Sequence, residues 1–149
     1  MSTIRWSAGV VVAVLATATP VLAQQPAAGR IKVVAGAAFI VRQNATIPAQ
    51  LGQDVFETDS VKTGADGRIG ITLKDDTRVS IGPSSEVRLE RYVFSPGEER
   101  FGMVLNFVRG VAAYVSGRMA KLAPDSIRLE TPAAIVGVRG TSLAIRVEP

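Results

Sequence analysis

The 149 residues include no histidine and no cysteine, which removes the commonest general base, the commonest zinc ligand and every Ser–His or Cys–His nucleophile pair, and leaves no disulfide to staple the fold. The length suits one domain with a core of its own. A net charge of +4, from 17 basic against 13 acidic residues, is a mild excess that keeps a protein soluble and favours an acidic partner surface or an anionic polymer.

The N-terminus reads as an export signal. Met1 to Trp6 carries one charge, on Arg5, and an apolar run from Ala8 to Ala16 follows. Pro20 breaks the segment, and Val21-Leu22-Ala23 places small residues at the two positions a signal peptidase inspects. Residues 1–23 are therefore expected to be a signal peptide cut after Ala23. The apolar run falls short of the ~20 residues that span a bilayer as a helix. The mature chain is expected to lack a transmembrane helix and to be periplasmic or secreted.

Residues 24–29 (Gln-Gln-Pro-Ala-Ala-Gly) read as a flexible leader, and residues 30–149 as one all-β domain. Apolar residues alternate with polar ones at period 2: Ile69, Ile71 and Leu73; Val79 and Ile81; Val87 and Leu89; Ile127 and Leu129; Leu143, Ile145 and Val147. That is the pattern of half-buried strands. Turn residues separate the runs at Gly64-Ala65-Asp66-Gly67, Asp75-Asp76, Gly82-Pro83-Ser84-Ser85, Ser95-Pro96-Gly97 and Arg109-Gly110. For Tyr114 to Leu122, Gly117 and the alternation of Val111, Ala113 and Val115 favour strand over a short helical turn.

The middle of the chain repeats at an offset of ten. Asp66-Gly67-Arg68-Ile69 aligns with Asp76-Thr77-Arg78-Val79, and Glu86-Val87-Arg88-Leu89 follows. Stacking such strands about 4.8 Å apart would build a twisted β-solenoid-like module. A hairpin meander or a β-sandwich gives the same spacing. The repeated acid-x-Arg is read as a solvated, charge-balanced surface ladder of Asp66, Arg68, Asp76, Arg78, Glu86 and Arg88, in preference to a ligand-binding stripe.

Four blocks in order then carry a family resemblance: Gly36 to Arg42, Leu51 to Gly64 with its closing Asp59-Ser60-Val61-Lys62-Thr63-Gly64, Arg68 to Ile81, and Thr131-Pro132-Ala133-Ala134-Ile135-Val136-Gly137-Val138-Arg139-Gly140-Thr141. Together, from about Gly29 to Val147, they resemble a FecR domain. The last block is the most specific. The family's usual Asp-Gly turn is here Asp75-Asp76, and aspartate tolerates the left-handed backbone that such a turn requires. The resemblance implies a twisted β-solenoid-like fold, a Gram-negative envelope location and a non-enzymatic interaction role. The cytoplasmic segment, membrane helix and receptor-docking domain of the family's namesake regulators have no counterpart here, so transmembrane control of a sigma factor by this chain itself is not expected.

Arg139-Gly140-Thr141 lies between aliphatic segments, and an arginine there needs carbonyl or carboxylate partners. It is expected to be a semi-buried clasp, with an anion or partner contact as the alternative. The adjacent acids Asp75-Asp76 and Glu98-Glu99 fall in turns and read as solvated, with neither catalysis nor calcium binding expected. Ser84 and Ser85 have no histidine to activate them, and Asn44-Ala45-Thr46 reads as a plain loop. Phe101, Phe107 and Tyr114 read as packing residues, and no basic run interleaved with aromatics suggests nucleic acid. No catalytic residue, cofactor or metal is expected.

The leading expectation is an exported module that binds an envelope protein or an anionic envelope polymer. One alternative is an accessory of cell-surface signalling beside a separate anti-sigma protein or TonB-dependent receptor. Another is a carboxylate-based glycan hydrolase, which needs two acids facing each other about 5–10 Å apart in a groove. Unpaired strand edges also allow end-to-end self-association.

Overall fold

The computed structural model describes residues 25–138 and 142–148, together with Thr3, Gly9 and residues 18–20. Among these, twelve strands form one curled sheet. They are β1 (Gly29–Ala35), β2 (Ala38–Arg42), β3 (Ala45–Pro48), β4 (Asp54–Val55), β5 (Ser60–Thr63), β6 (Arg68–Leu73), β7 (Arg78–Ile81), β8 (Glu86–Ser95), β9 (Arg100–Val115), β10 (Ile127–Glu130), β11 (Ile135–Gly137) and β12 (Ser142–Val147). A short helix, α1 (Arg118–Leu122), follows β9. No helix among the described residues is long and apolar enough to cross a membrane.

The period-2 runs become strands as expected, with Ile69, Ile71, Leu73, Val79, Ile81, Val87 and Leu89 all buried. Phe107, Tyr114, Ile31, Ile40 and Ile127 join them in the core. Burying each such side chain stabilises by roughly 1.5–3 kcal/mol.

The ladders are antiparallel apart from β9–β10, which is parallel. This decides how the ten-residue repeat is used. β6 and β7 form a hairpin in which Gly70 faces Ser80 and Thr72 faces Arg78, so the all-β expectation holds and the first two repeat units pair as a hairpin, while the third lies on β8, separated from β7 by β9. The hairpin turn runs through Asp75 and Asp76, and Asp76 takes the left-handed conformation at φ +70°. Asp75 is fully buried, contrary to the reading of both acids as solvated. The segment from Tyr114 to Leu122 also departs from the strand reading, because β9 ends at Val115 and Arg118–Leu122 is helical.

One strand curls the sheet. The first part of β9 pairs with β8 and β10; from Gly110 to Val115 it pairs with β12 and, over Ala112 to Val115, with β7. Gly110 sits at the corner with φ +89°, and a Cβ there would collide with the Ser85 side chain. Ser85 is buried, and its hydroxyl oxygen accepts the Val111 N–H at 2.9 Å. Arg109-Gly110 is thus a bend within a continuous strand.

A buried carboxylate and a buried hydroxyl pin the loops. Asp59 receives Arg42 in a bidentate pair, Nε to Oδ1 at 2.9 Å and Nη2 to Oδ2 at 2.8 Å, and also accepts the Phe56 N–H at 2.9 Å. The Arg42 guanidinium lies 4.6 Å over the Phe56 ring. Asp59 holds the Arg42 proton more tightly than usual, against the opposing effect of burial. Thr63 follows in the same block: its hydroxyl donates to the Gly82 carbonyl at 2.6 Å and accepts from the Ser85 N–H at 2.9 Å. The Asp59-to-Gly64 block therefore joins two loops to the sheet.

Candidate interaction face

The half of the sheet made by β1, β6, β7, β9 and β12 turns one face to the core and the other to solvent. Residues directly opposed across antiparallel strands share a face, so the register places the outer side chains in rows. One row is Arg30, Thr72, Arg78, Val115 and Ser142. The next is Val33, Gly70, Ser80, Ala113 and Ala144. In the third, Arg68 stands opposite Ala35, and Val111 opposite Arg146, with Gly82 donating its N–H to the Val111 carbonyl at 2.9 Å.

The middle row is nearly bare of side chains, which makes a shallow groove of about 550 Å³ with Arg68 and Arg146 among its lining residues. Glycine keeps it open. A Cβ on Gly70 would come within 3.1 Å of the Val33 Cβ, and one on Gly82 within 2.7 Å of the Val111 Cγ2.

The charge on these rows is mainly of one sign. Four arginines stand on them, and Asp54 of the adjoining β4 extends the first row opposite Arg30. Arg30 pairs with Asp54 of the neighbouring β4 at 3.3 Å. Among the described residues, Arg68, Arg78 and Arg146 have no ion pair. Three exposed guanidiniums on and beside a small-residue floor make an electropositive face that can hold an anionic group. Each can offer a planar fork of donors to a carboxylate.

The ladder residues disperse over the fold. Arg68 and Arg78 share the groove face but sit at opposite ends of the hairpin. Arg88 is on β8 in the other half of the sheet, opposed to Ser60 and Asn106. Their acids find other partners. Asp66 accepts the Ala37 N–H at 3.2 Å, Asp76 pairs with Arg118 at 3.5 Å, and Glu86 lies 3.7 Å from Lys62 and 3.8 Å from Arg109. Arg139, Gly140 and Thr141 lie outside the described residues. Arg146 and the row Gly70, Ser80, Ala113 and Ala144 escape sequence reasoning. Their signal is a small residue where a half-buried strand usually shows a long polar one.

Other acids are occupied. A second depression of about 500 Å³ is lined by both Asp54 and Asp76, but each is already paired with an arginine, at 3.3 and 3.5 Å. No cluster of potential metal ligands occurs among the described residues. Asp75 is enclosed by protein donors: the Thr77 hydroxyl at 2.7 Å, the Tyr92 hydroxyl at 3.0 Å, the Met119 N–H at 3.2 Å and the Thr77 N–H at 3.3 Å. Burial first, and then the Asp75 charge, push the Tyr92 phenol well above its ordinary pKa. This is a closed structural clasp joining the β6–β7 turn, β8 and α1.

No curated protein and no solved structure matches the chain. The family model described as FecR protein matches residues 59–149, from the buried Asp59 through β12, and so takes in β6, β7, β9 and β12 of the groove face. That family is regulatory and signalling-related and not enzymatic. With more than half of its length matched, this chain belongs to the FecR family.

Proposed function

We propose that this chain is an exported, non-enzymatic interaction module of the bacterial envelope that docks a partner against the arginine-bordered face of its sheet. The carrying observation is that face: among the described residues Arg68, Arg78 and Arg146 have no ion pair, with Arg68 and Arg146 lining the small-residue floor and Arg78 on the adjoining row. Uncompensated like charge on a surface raises the local concentration of an oppositely charged partner and steers its approach. The signal-like residues 1–23 support an envelope location, with Gln24 as the mature N-terminus.

The test is site-specific photo-crosslinking in intact cells, with the reactive side chain at Ser80 on the groove floor or at Arg88 on the other half-sheet. A discrete adduct from position 80 and none from position 88 is the expected result. No adduct at 80, or equal adducts at both, would refute the face as the docking site.

Family membership favours a second reading, in which the docked partner belongs to a cell-surface signalling system with its own anti-sigma protein or TonB-dependent receptor. Under it, deleting the gene alters transcription from a promoter that depends on an envelope-responsive sigma factor. An unchanged transcriptome on deletion removes this reading and leaves the docking module.

A further inference from the structure

The following rests on reading the face as a docking surface, and it specifies the occupant. We propose that the groove takes an extended acidic segment of a partner protein, with two carboxylates about four residues apart.

The sign of the charge requires an anion, and the spacing of the arginines selects its form. Arg68 on β6 and Arg146 on β12 lie at the same level of the sheet with β7 and β9 between them. Three strand steps of ~4.8 Å put their backbones ~14 Å apart. An extended peptide rises ~3.4 Å per residue, so side chains at i and i+4 also lie ~14 Å apart and point the same way. Two carboxylates so spaced would each meet one guanidinium, while the main chain between them lies along the adjoining row of Gly70, Ser80, Ala113 and Ala144.

The floor suits a peptide better than the other anions. It has room for a backbone because four successive strands carry residues no larger than serine there. Val33, 55% exposed, and Val111 offer apolar contact to small aliphatic side chains of the segment. Among the described residues no aromatic ring lines the groove, so none of them stacks with a sugar or a base there. The flat rows also lack the band of Trp, Phe and Leu that seats a surface in lipid.

The test uses the mature domain and fluorescence anisotropy. The probe is a labelled ten-residue peptide with two glutamates four residues apart in an alanine, threonine and valine background. The comparators carry the glutamates two apart, or replace both with glutamine. A polyuronate chain and vesicles containing phosphatidylglycerol serve as competitors. The four-apart peptide is expected to bind at least about fivefold more tightly than the two-apart one. Arg68→Ala and Arg146→Ala should each weaken it roughly threefold to tenfold, with Arg88→Ala unchanged. A charge swap provides the second arm: Arg146→Glu should bind a peptide in which one glutamate is replaced by lysine better than the original. Equal binding of the two spacings, no effect of either arginine variant, or displacement of the peptide only at the level of the glutamine control would overturn the inference. So would preferential binding of the polyuronate or the vesicles. The two proposals fail separately, because an adduct at position 80 with a partner segment lacking paired acids overturns this one and leaves the docking face standing.

Discussion

Asp75 should be one of the most sensitive positions of the domain, although its neighbour Asp76 should be nearly silent. Asp75→Ala removes an acceptor that serves the Thr77 hydroxyl and N–H, the Tyr92 hydroxyl and the Met119 N–H, all in a fully buried site. A buried donor left without a partner costs about 1–3 kcal/mol. Some donors re-pair when the site relaxes, so the expected loss is about 3–5 kcal/mol, the range for breaking a buried polar network. In a domain of this size that lowers the thermal midpoint by about 10–20 °C. Asp76→Asn keeps a residue that tolerates a left-handed backbone and removes only an exposed pair with Arg118, worth under about 1 kcal/mol. Circular dichroism melts of the two variants beside the parent decide the matter. An Asp75→Ala midpoint within about 3 °C of the parent, or an equal fall for Asp76→Asn, would show that the clasp contributes little.

Three further outcomes are expected. Gly110→Ala forces a side chain into a left-handed corner against Ser85, and should cost about 3 kcal/mol in urea unfolding; a loss below about 1 kcal/mol contradicts the corner. Both tyrosines, Tyr92 and Tyr114, are held above the ordinary phenol pKa, chiefly by burial. Their protonated form therefore stabilises the fold fully below about pH 10, the unfolded value, and that contribution is lost as pH rises above it. Tyrosinate absorbance should thus rise together with loss of the fold, and a rise while the sheet signal persists would count against this burial. Finally, mass spectrometry of the envelope fraction should find a mature chain starting at Gln24, and an intact Met1 form there would show that the signal is not cleaved.

The strands were legible because each half-buried run states its own two faces. β6, β7 and β12 follow directly from Ile69 to Leu73, Val79 to Ile81 and Leu143 to Val147. β9 was less so, since a glycine marks a turn and a bent strand alike, and only the pairing of both halves of β9 tells them apart. The burial of Asp75 depends on Tyr92 and Met119, which lie 17 and 44 residues away; no local pattern reports such partners. The groove was hidden for a similar reason. Gly70, Ser80, Ala113 and Ala144 are unremarkable one at a time, and they form a floor only when the register sets them side by side. The ten-residue repeat was visible, but its charges mislead, because an antiparallel turn sends Arg68 and Arg78 to opposite ends.

The shared strand β9 has a consequence for how the chain acquires its structure. Its partners β7 and β8 precede it, whereas β10 and β12 follow it. The groove half of the sheet is complete only once β12 has been synthesised, the other half needs β10 and β11, and most of the pairing joins residues far apart in sequence. Folding of this kind is slow, because loop closure must come before the contacts that reward it. Under the export proposed above, such slow folding would help keep the chain threadable during its passage.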